Sequence, residues 1–309
     1  MRIVFAGTPE VALPSLEALL ASDHEVVAVL TRPDAPSGRG KKLTPSPVAV
    51  RAAELGIETL KPAKPRDPEF LARFAEIAPD CAPVVAYGAL LPQSLLDLVP
   101  YGFINLHFSL LPAWRGAAPV QHAVLAGDEV TGATTFRIVA ELDAGPTFGT
   151  VTEPIDPSDT SGDLLRRLSV TGADLLVATL DGIADGSLTA VEQPQTGVTL
   201  APKITVEDAR LDWAWPADRI DRVVRGCAPA PGAWTTFRGD RFKINSGNPL
   251  PDLAGAPGEL TITKRSVTVA AGDGTGFELG QVQAQGKKPM YAPDWARGVT
   301  FEAGETLGS

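Results

Sequence analysis

Through its N-terminal portion the chain alternates short apolar runs with amphipathic stretches, the rhythm of a parallel α/β sheet. Ile3–Ala6, Glu25–Leu30, Pro83–Ala86 and Phe103–Leu106 read as buried strands, and Thr134–Val139 as a β-rich one. Helices are predicted over Pro14–Leu20, Ala49–Leu55, Phe70–Ala75 and Pro119–Ala126. Gly162–Leu180 reads as a longer helix, with apolar residues at Leu164, Leu165, Leu168, Leu175, Leu176 and Leu180. Over 189–204 the rhythm fades into Ser, Thr, Gln, Pro and Gly, which predicts a linker. Beyond it, a short helix at Ala217–Arg225 precedes strand-like segments at Trp234–Phe237, Phe242–Ile244, Gly258–Ile262, Ser266–Ala270 and Gly276–Val282. Short strands divided by turn residues predict a small antiparallel barrel.

Length agrees with two domains, since 309 residues is about twice a typical one. Cys81 and Cys227 stand far apart, each without a nearby Cys or His, and are expected to be small buried hydrophobes, not zinc ligands or a disulfide. No apolar run is long enough to cross a bilayer. Gly7, Pro9 and Glu10 break the apolar start before any leader-like pattern develops, so a cytoplasmic protein without membrane contact is expected.

The formal net charge of −10 argues at first against a nucleic-acid substrate. Phosphate binding depends on local patches, however, while global charge governs solubility and steering. Residues 31–50 hold Arg32, Arg39, Lys41 and Lys42 against Asp34 alone, a local excess of positive charge. From residue 205 onward, 12 Lys and Arg face 13 Asp and Glu, so that C-terminal third is nearly neutral. Arg219, Arg222 and Arg225, three apart on the predicted helix, read either as a basic stripe or as a solvated face.

Candidate chemistry gathers where the Phe103 strand ends. Asn105 and His107, at i and i+2, share one face of that strand. Catalytic groups commonly lie beyond the carboxyl ends of strands in such sheets. Asp143 follows in a turn after the next strand. An Asn amide and an imidazolium would stabilise an oxyanion, and the Asp would favour the protonated imidazole and handle the proton. Spacing alone does not separate this arrangement from a structural histidine and an ordinary Asp-Ala-Gly turn. Ser109 lies in no Gly-x-Ser-x-Gly elbow, which counts against a serine hydrolase. The first turn, Gly-Thr-Pro, lacks the glycine pattern of dinucleotide sites.

Asn105-Leu-His107-Phe-Ser-Leu-Leu-Pro112 resembles the signature of the formyltransferases that use 10-formyltetrahydrofolate. Its continuation, Ala-Trp114-Arg115-Gly116-Ala-Ala-Pro119-Val-Gln121, is similar to the branch acting on initiator methionyl-tRNA, more than to the glycinamide ribonucleotide or sugar-nucleotide branches. Further matches run in order along the chain: Gly7-Thr-Pro9, Gly38-Arg39-Gly40-Lys41-Lys42, Val85-Ala-Tyr87-Gly88, Ala201-Pro-Lys203, Arg210-Leu-Asp212-Trp213 and Gly286-Lys287-Lys288.

The resemblance implies a Rossmann-like parallel-sheet catalytic domain over 1–188 and an OB-like β-barrel tRNA-binding domain over 205–309. It implies Asn105, His107 and Asp143 as the catalytic trio and 10-formyltetrahydrofolate as co-substrate, with no metal. Ala86, Tyr87, Gly88, Leu90, Leu91 and Pro92 would meet the folate, with Ser109, Leu110, Leu111 and Pro112. Arg39, Lys41 and Lys42 would meet the tRNA from a loop rich in Gly and Pro, on a chain expected to be monomeric. The alternatives are a formyltransferase for an amino-sugar nucleotide, a formate-releasing hydrolase on the same site, and a non-catalytic RNA- or folate-binding protein.

Overall fold

The computed structural model describes residues 1–37, 42–302 and 304–308. The chain forms two compact units. One comprises Met1–Pro119, Val130–Pro154 and Leu165–Ala201; the other comprises Val120–Glu129, Ile155–Leu164 and Pro202–Ser309.

The first unit is built on a seven-stranded sheet. Its strands are β1 (Arg2–Gly7), β2 (Glu25–Leu30), β3 (Glu58–Leu60), β4 (Ala82–Val85), β5 (Phe103–His107), β6 (Val130–Arg137) and β7 (Thr147–Pro154). They lie in the order β7-β6-β5-β4-β1-β2-β3. The strands from β3 to β5 pair in parallel, and β6 and β7 add an antiparallel edge. The continuous apolar runs Ile3–Ala6 and Ala82–Val85 are buried throughout, as central parallel strands covered on both faces must be. Helices α1 (Leu13–Leu20), α2 (Pro47–Glu54) and α3 (Pro68–Ile77) supply cover. In α3, Phe70, Phe74 and Ile77 recur at helical spacing and are buried, with Phe74 stacked 5.9 Å from Phe103. A fully buried phenylalanine contributes about 1.5–3 kcal/mol, so this contact anchors the start of β5.

Chain order sets a switch point beside β1. The chain moves from β1 to β2 and β3 on one side, then crosses to β4 on the other, so the loops after β1 and β4 part. Ligand crevices in open α/β sheets form at such places. Thr8 Oγ1 spans this one, donating to the Tyr87 carbonyl at 2.7 Å.

The second unit holds α4 (Pro119–Ala126) for all but its first residue, and the start of α5 (Ser161–Ala184). It also holds α6 (Ala217–Gly226) and the strands that follow. These are β8 (Trp234–Phe237), β9 (Asp240–Ile244), β10 (Gly247–Leu250), β11 (Leu260–Ile262), β12 (Val267–Ala270), β13 (Gly276–Leu279), β14 (Gln281–Ala284) and β15 (Met290–Tyr291), with α7 (Ala292–Arg297) after them. They form two four-stranded sheets, β8-β9-β14-β15 and β10-β13-β12-β11. Their largely aliphatic core includes an aromatic cluster, in which the Trp295 ring centroid lies 4.5 Å from that of Phe242 and 5.2 Å from that of Phe237. Cys81 and Cys227 are buried and unbridged, and burial pushes their thiols up to about 12 and about 11.

Several elements differ from the sequence reading: Glu58–Leu60, Gly247–Leu250 and Met290–Tyr291 are strands it did not predict, and the segment expected at Gly276–Val282 is two strands, Gly276–Leu279 and Gln281–Ala284. The strand expected at Thr134–Val139 is β6, four residues earlier at its start and ending at Arg137. β7 carried no strand signal because Gly149 and Pro154 interrupt it, which an edge strand tolerates.

Candidate active site

β5 delivers two polar side chains to one face of the sheet, Asn105 half-buried and His107 buried. β4 and β5 are in register at Val84 and Asn105, so the turn that begins at Ala86 leaves the sheet at the edge where Asn105 and His107 stand. In that turn Ala86 (φ 48°) and Gly88 (φ 84°) are left-handed. The side chain of Leu90 is 86% exposed, whereas Tyr87 is buried. Burial pushes the Tyr87 phenol up, opposed by the Arg32 charge.

After His107 the chain makes a tight turn fixed by its own polar groups. Ser109 Oγ donates to the Ala113 carbonyl at 2.6 Å. Thr134 Oγ1 donates to the Ser109 carbonyl at 2.7 Å and accepts from the Leu111 amide at 3.2 Å. The Ser109 hydroxyl is thus committed to the turn, which presents half-buried Leu110, Leu111 and Pro112. The peptide between Leu111 and Pro112 is cis.

The turn then curls back under His107. The ring Nε2 lies 2.8 Å from the Trp114 carbonyl oxygen. A carbonyl only accepts, so Nε2 carries a hydrogen and Nδ1 is the nitrogen whose protonation changes. Nδ1 stands 3.8 Å from Asp143 Oδ2. Burial lowers the His107 pKa and outweighs the opposing pull of the Asp143 charge and the Trp114 carbonyl. The imidazole is therefore neutral at pH 7. The resting imidazolium expected from the Asp143 partnership is corrected on this ground: desolvation exceeds the attraction of a carboxylate 3.8 Å away.

Asp143 reaches His107 by an indirect path. β6 is antiparallel to β5, so its last residue, Arg137, pairs with Ile104 near the beginning of β5. Residues 138–146 turn back along the sheet, with Asp143 itself left-handed at φ 47°. Asp143 Oδ2 accepts from the Gly116 amide at 2.8 Å. Gly116 (φ 132°) pairs with Ala201, and a Cβ there would press on the Ala201 carbonyl.

Residues expected as linker build the back of this site. The Arg115 amide donates to Thr199 O at 2.9 Å, and the Trp114 amide to Thr199 Oγ1 at 2.8 Å. Gln193, buried, bonds Arg115 and the carbonyls of Asp143 and Gly145. Sequence reasoning missed Gln193, because its partners lie 48 to 78 residues away.

Of the basic loop, Lys42 is exposed in a short strand, Lys42–Thr44, paired antiparallel with Ala35–Ser37. Arg39 and Lys41 lie outside the described residues. The arginines of α6 are engaged within their own unit. Arg219 stacks 4.0 Å over Trp215, Arg222 donates to the Ala126 carbonyl, and Arg225 pairs with Asp221. That engagement counts against a basic stripe.

A strand-end Asn and His, the His facing a carboxylate, thus stand beside an exposed turn near the switch point of an α/β sheet. Residues 1–180 match the formyl transferase family, and residues 203–300 match the formyl transferase C-terminal domain. The chain is 67% identical over 310 residues to the methionyl-tRNA formyltransferase of Streptomyces coelicolor, covering 100% of each chain. It is 63% identical to that of Thermobifida fusca, covering 100% of this chain and 99% of the relative. The chain belongs to the methionyl-tRNA formyltransferase family. Its fold is also similar to an N-formyltransferase of Helicobacter canadensis, solved with folinic acid and dTDP-3-aminofucose. There the TM-score is 0.67 at 16% identity, covering 91% of this chain and 98% of that one.

Proposed function

We propose that this chain transfers the formyl group of 10-formyltetrahydrofolate to the α-amine of methionine carried on initiator tRNA. The observation that carries the chemistry is the opposed pair His107 Nδ1 and Asp143 Oδ2, 3.8 Å apart, beside Asn105 on the same strand face.

The methionyl amine attacks the formyl carbon, a new C–N bond forms, and negative charge gathers on the formyl oxygen. Asn105 donates to that oxygen through its amide, the preorganised electrostatic help that acyl transfer needs. The neutral imidazole accepts the amine's surplus proton at Nδ1, and Asp143 stabilises the imidazolium so formed. His107 then returns the proton to folate N10 as the bond from formyl carbon to N10 breaks. Formylmethionyl-tRNA and tetrahydrofolate leave. The attacking amine must be neutral, which an α-amine with pKa near ~8 reaches at physiological pH.

The folate contacts are assigned to Ala86, Tyr87, Gly88, Leu90, Leu91 and Pro92, with Leu110, Leu111 and Pro112 opposite and Ser109 bracing their turn. The exposed leucine and the left-handed peptides suit a flat ring that needs apolar cover and backbone hydrogen bonds. Arg39, Lys41 and Lys42 are assigned to the acceptor end of the tRNA, because positive charge is locally concentrated there on an otherwise acidic chain.

Residues 1–188 act as the catalytic domain, completed by Gln193 and Thr199 of the 189–204 segment that follows it, and 205–309 act as a tRNA-binding domain with an OB-like barrel. Two features support the barrel. Pairing continues from Phe242–Ala284 through the Gly280 amide and Ser246 carbonyl to Leu250–Gly276, so the same two chain segments serve both sheets. Thr306 and Leu307 bridge Glu259 of one side and Phe237 of the other. The enzyme works in the cytoplasm as a monomer.

The test supplies 10-formyltetrahydrofolate with three acceptors: charged initiator tRNA, an amino-sugar nucleotide, and water alone. Formylation of the tRNA with kcat/KM at least a hundredfold above the sugar supports the proposal. Preference for the sugar, or formate release alone, overturns it.

A further inference from the structure

Gln193 sits in the segment that local sequence patterns mark as linker, yet it is 5% exposed and every hydrogen-bonding position of its carboxamide is used. Oε1 accepts from Arg115 Nε at 3.1 Å and from Arg115 Nη2 at 2.7 Å. Nε2 donates to the carbonyls of Asp143 and Gly145, both at 2.8 Å. A primary amide has two donor hydrogens and two acceptor lone pairs, so this is its full capacity.

We propose that Gln193 is a positioning residue for formyl transfer, fixing the Asp143 turn against Arg115 so that the carboxylate faces His107. The inference rests on the formyl-transfer reading above. The chain 114–116 carries both catalytic contacts, Trp114 O to His107 Nε2 and Gly116 amide to Asp143 Oδ2. Arg115 lies between those two residues, and its guanidinium is held by Gln193. One side chain thereby ties the turn bearing Asp143 to the strand edge that orients His107. Asp143 is left-handed, a conformation that costs a non-glycine residue free energy unless its surroundings impose it. Two carbonyl bonds, on Asp143 itself and on Gly145 two residues later, impose it.

Glutamine is also specific here by chemistry. Glutamate would keep the acceptor oxygen toward Arg115 but would turn a second oxygen toward two carbonyl oxygens, where only a donor is tolerated. Methionine would keep the volume and lose all four bonds.

The test uses full-length Gln193→Glu and Gln193→Met beside the unaltered chain. Three quantities are read: kcat with both substrates saturating, the Michaelis constant for the folate, and the imidazole pKa of His107 by NMR in the free protein. Asp143 is the charged group facing that ring, and its charge raises the ring's pKa, so a displaced turn lowers it. We expect kcat to fall roughly ten- to a hundredfold, the usual loss when a group that orients a functional side chain is removed. The folate constant should stay within twofold, and the His107 pKa should fall in Gln193→Met, the variant that displaces the turn without adding a charge. An unchanged His107 pKa in Gln193→Met, or a kcat within twofold of the parent in both variants, overturns the proposal. The NMR arm requires no substrate, so it stands even if the acceptor assay contradicts formyl transfer to tRNA.

Discussion

His107 and Asp143 are held by one three-residue stretch: the Trp114 carbonyl takes the hydrogen on His107 Nε2, and the Gly116 amide binds Asp143 Oδ2. Neither residue relies on the other for its orientation. At 3.8 Å, Nδ1 and Oδ2 are too far apart for a direct hydrogen bond, so a proton arriving on Nδ1 meets a carboxylate already in place. The arrangement is prepared for the charge that develops during reaction and does not depend on a charge present at rest.

Replacing His107 by Ala removes the proposed proton acceptor. Turnover should fall by roughly a hundred- to ten-thousandfold, the range for a lost general base, with the folate Michaelis constant within a few-fold of the parent. Steady-state kinetics at saturating tRNA checks this. Retention of more than half the parent rate would contradict the role.

The pH dependence follows from the neutral resting state. Protonation of His107 on the acid side switches off proton acceptance, so the acid limb of kcat should lie below the ordinary imidazole pKa of about 6.5. Asp143 raises the His107 pKa, so Asp143→Asn should move the limb to lower pH as well as reduce the plateau. Stability carries the same sign. The unfolded chain binds the proton more readily than the folded one, so His107 contributes stability above about pH 6.5 that is lost as pH falls toward the folded pKa. A limb that moves upward in the Asn variant would contradict the assignment.

Gly145 closes the turn that carries Asp143. A Cβ there would collide with the Arg137 carbonyl oxygen, a backbone atom that cannot swing aside. Gly145→Ala should lower stability by about 1–3 kcal/mol, the usual cost of overpacking, and should lower kcat more than it weakens folate binding. Thermal unfolding and folate titration on one preparation separate the two effects.

How much of this was legible in the sequence depends on how local each signal is. The two-residue period of a strand placed Asn105 and His107 on one face, and β5 has that register, but a role for them was legible only through the resemblance of Asn105–Pro112 to the formyltransferase signature. The central strands were legible because burial on both faces demands an unbroken apolar run. The protonation state of His107 was not, since it is set by the burial of a ring among segments distant in the chain. Residues 189–204 misled for the same reason. Their Ser, Thr, Pro and Gly composition has no period, while Gln193 and Thr199 draw their partners from 48 to 85 residues away.

Arg39 is the residue assigned to discriminate the tRNA, on local charge alone. Arg39→Ala should reduce kcat/KM for charged initiator tRNA by roughly ten- to a hundredfold, the range of one good bidentate arginine contact. The folate dissociation constant should be unchanged. An equal loss in both would mean that the residue supports the scaffold.

The most direct test of the account follows the formyl group itself. The chain is incubated with 10-formyltetrahydrofolate labelled in the formyl carbon and with methionyl-tRNA, and the ester is then hydrolysed to release the amino acid. The account predicts label on the methionine nitrogen in a single turnover, slowed at least a hundredfold in His107→Ala while labelled folate still binds. Label recovered as formate, or on methionine at the same rate in both proteins, would contradict it.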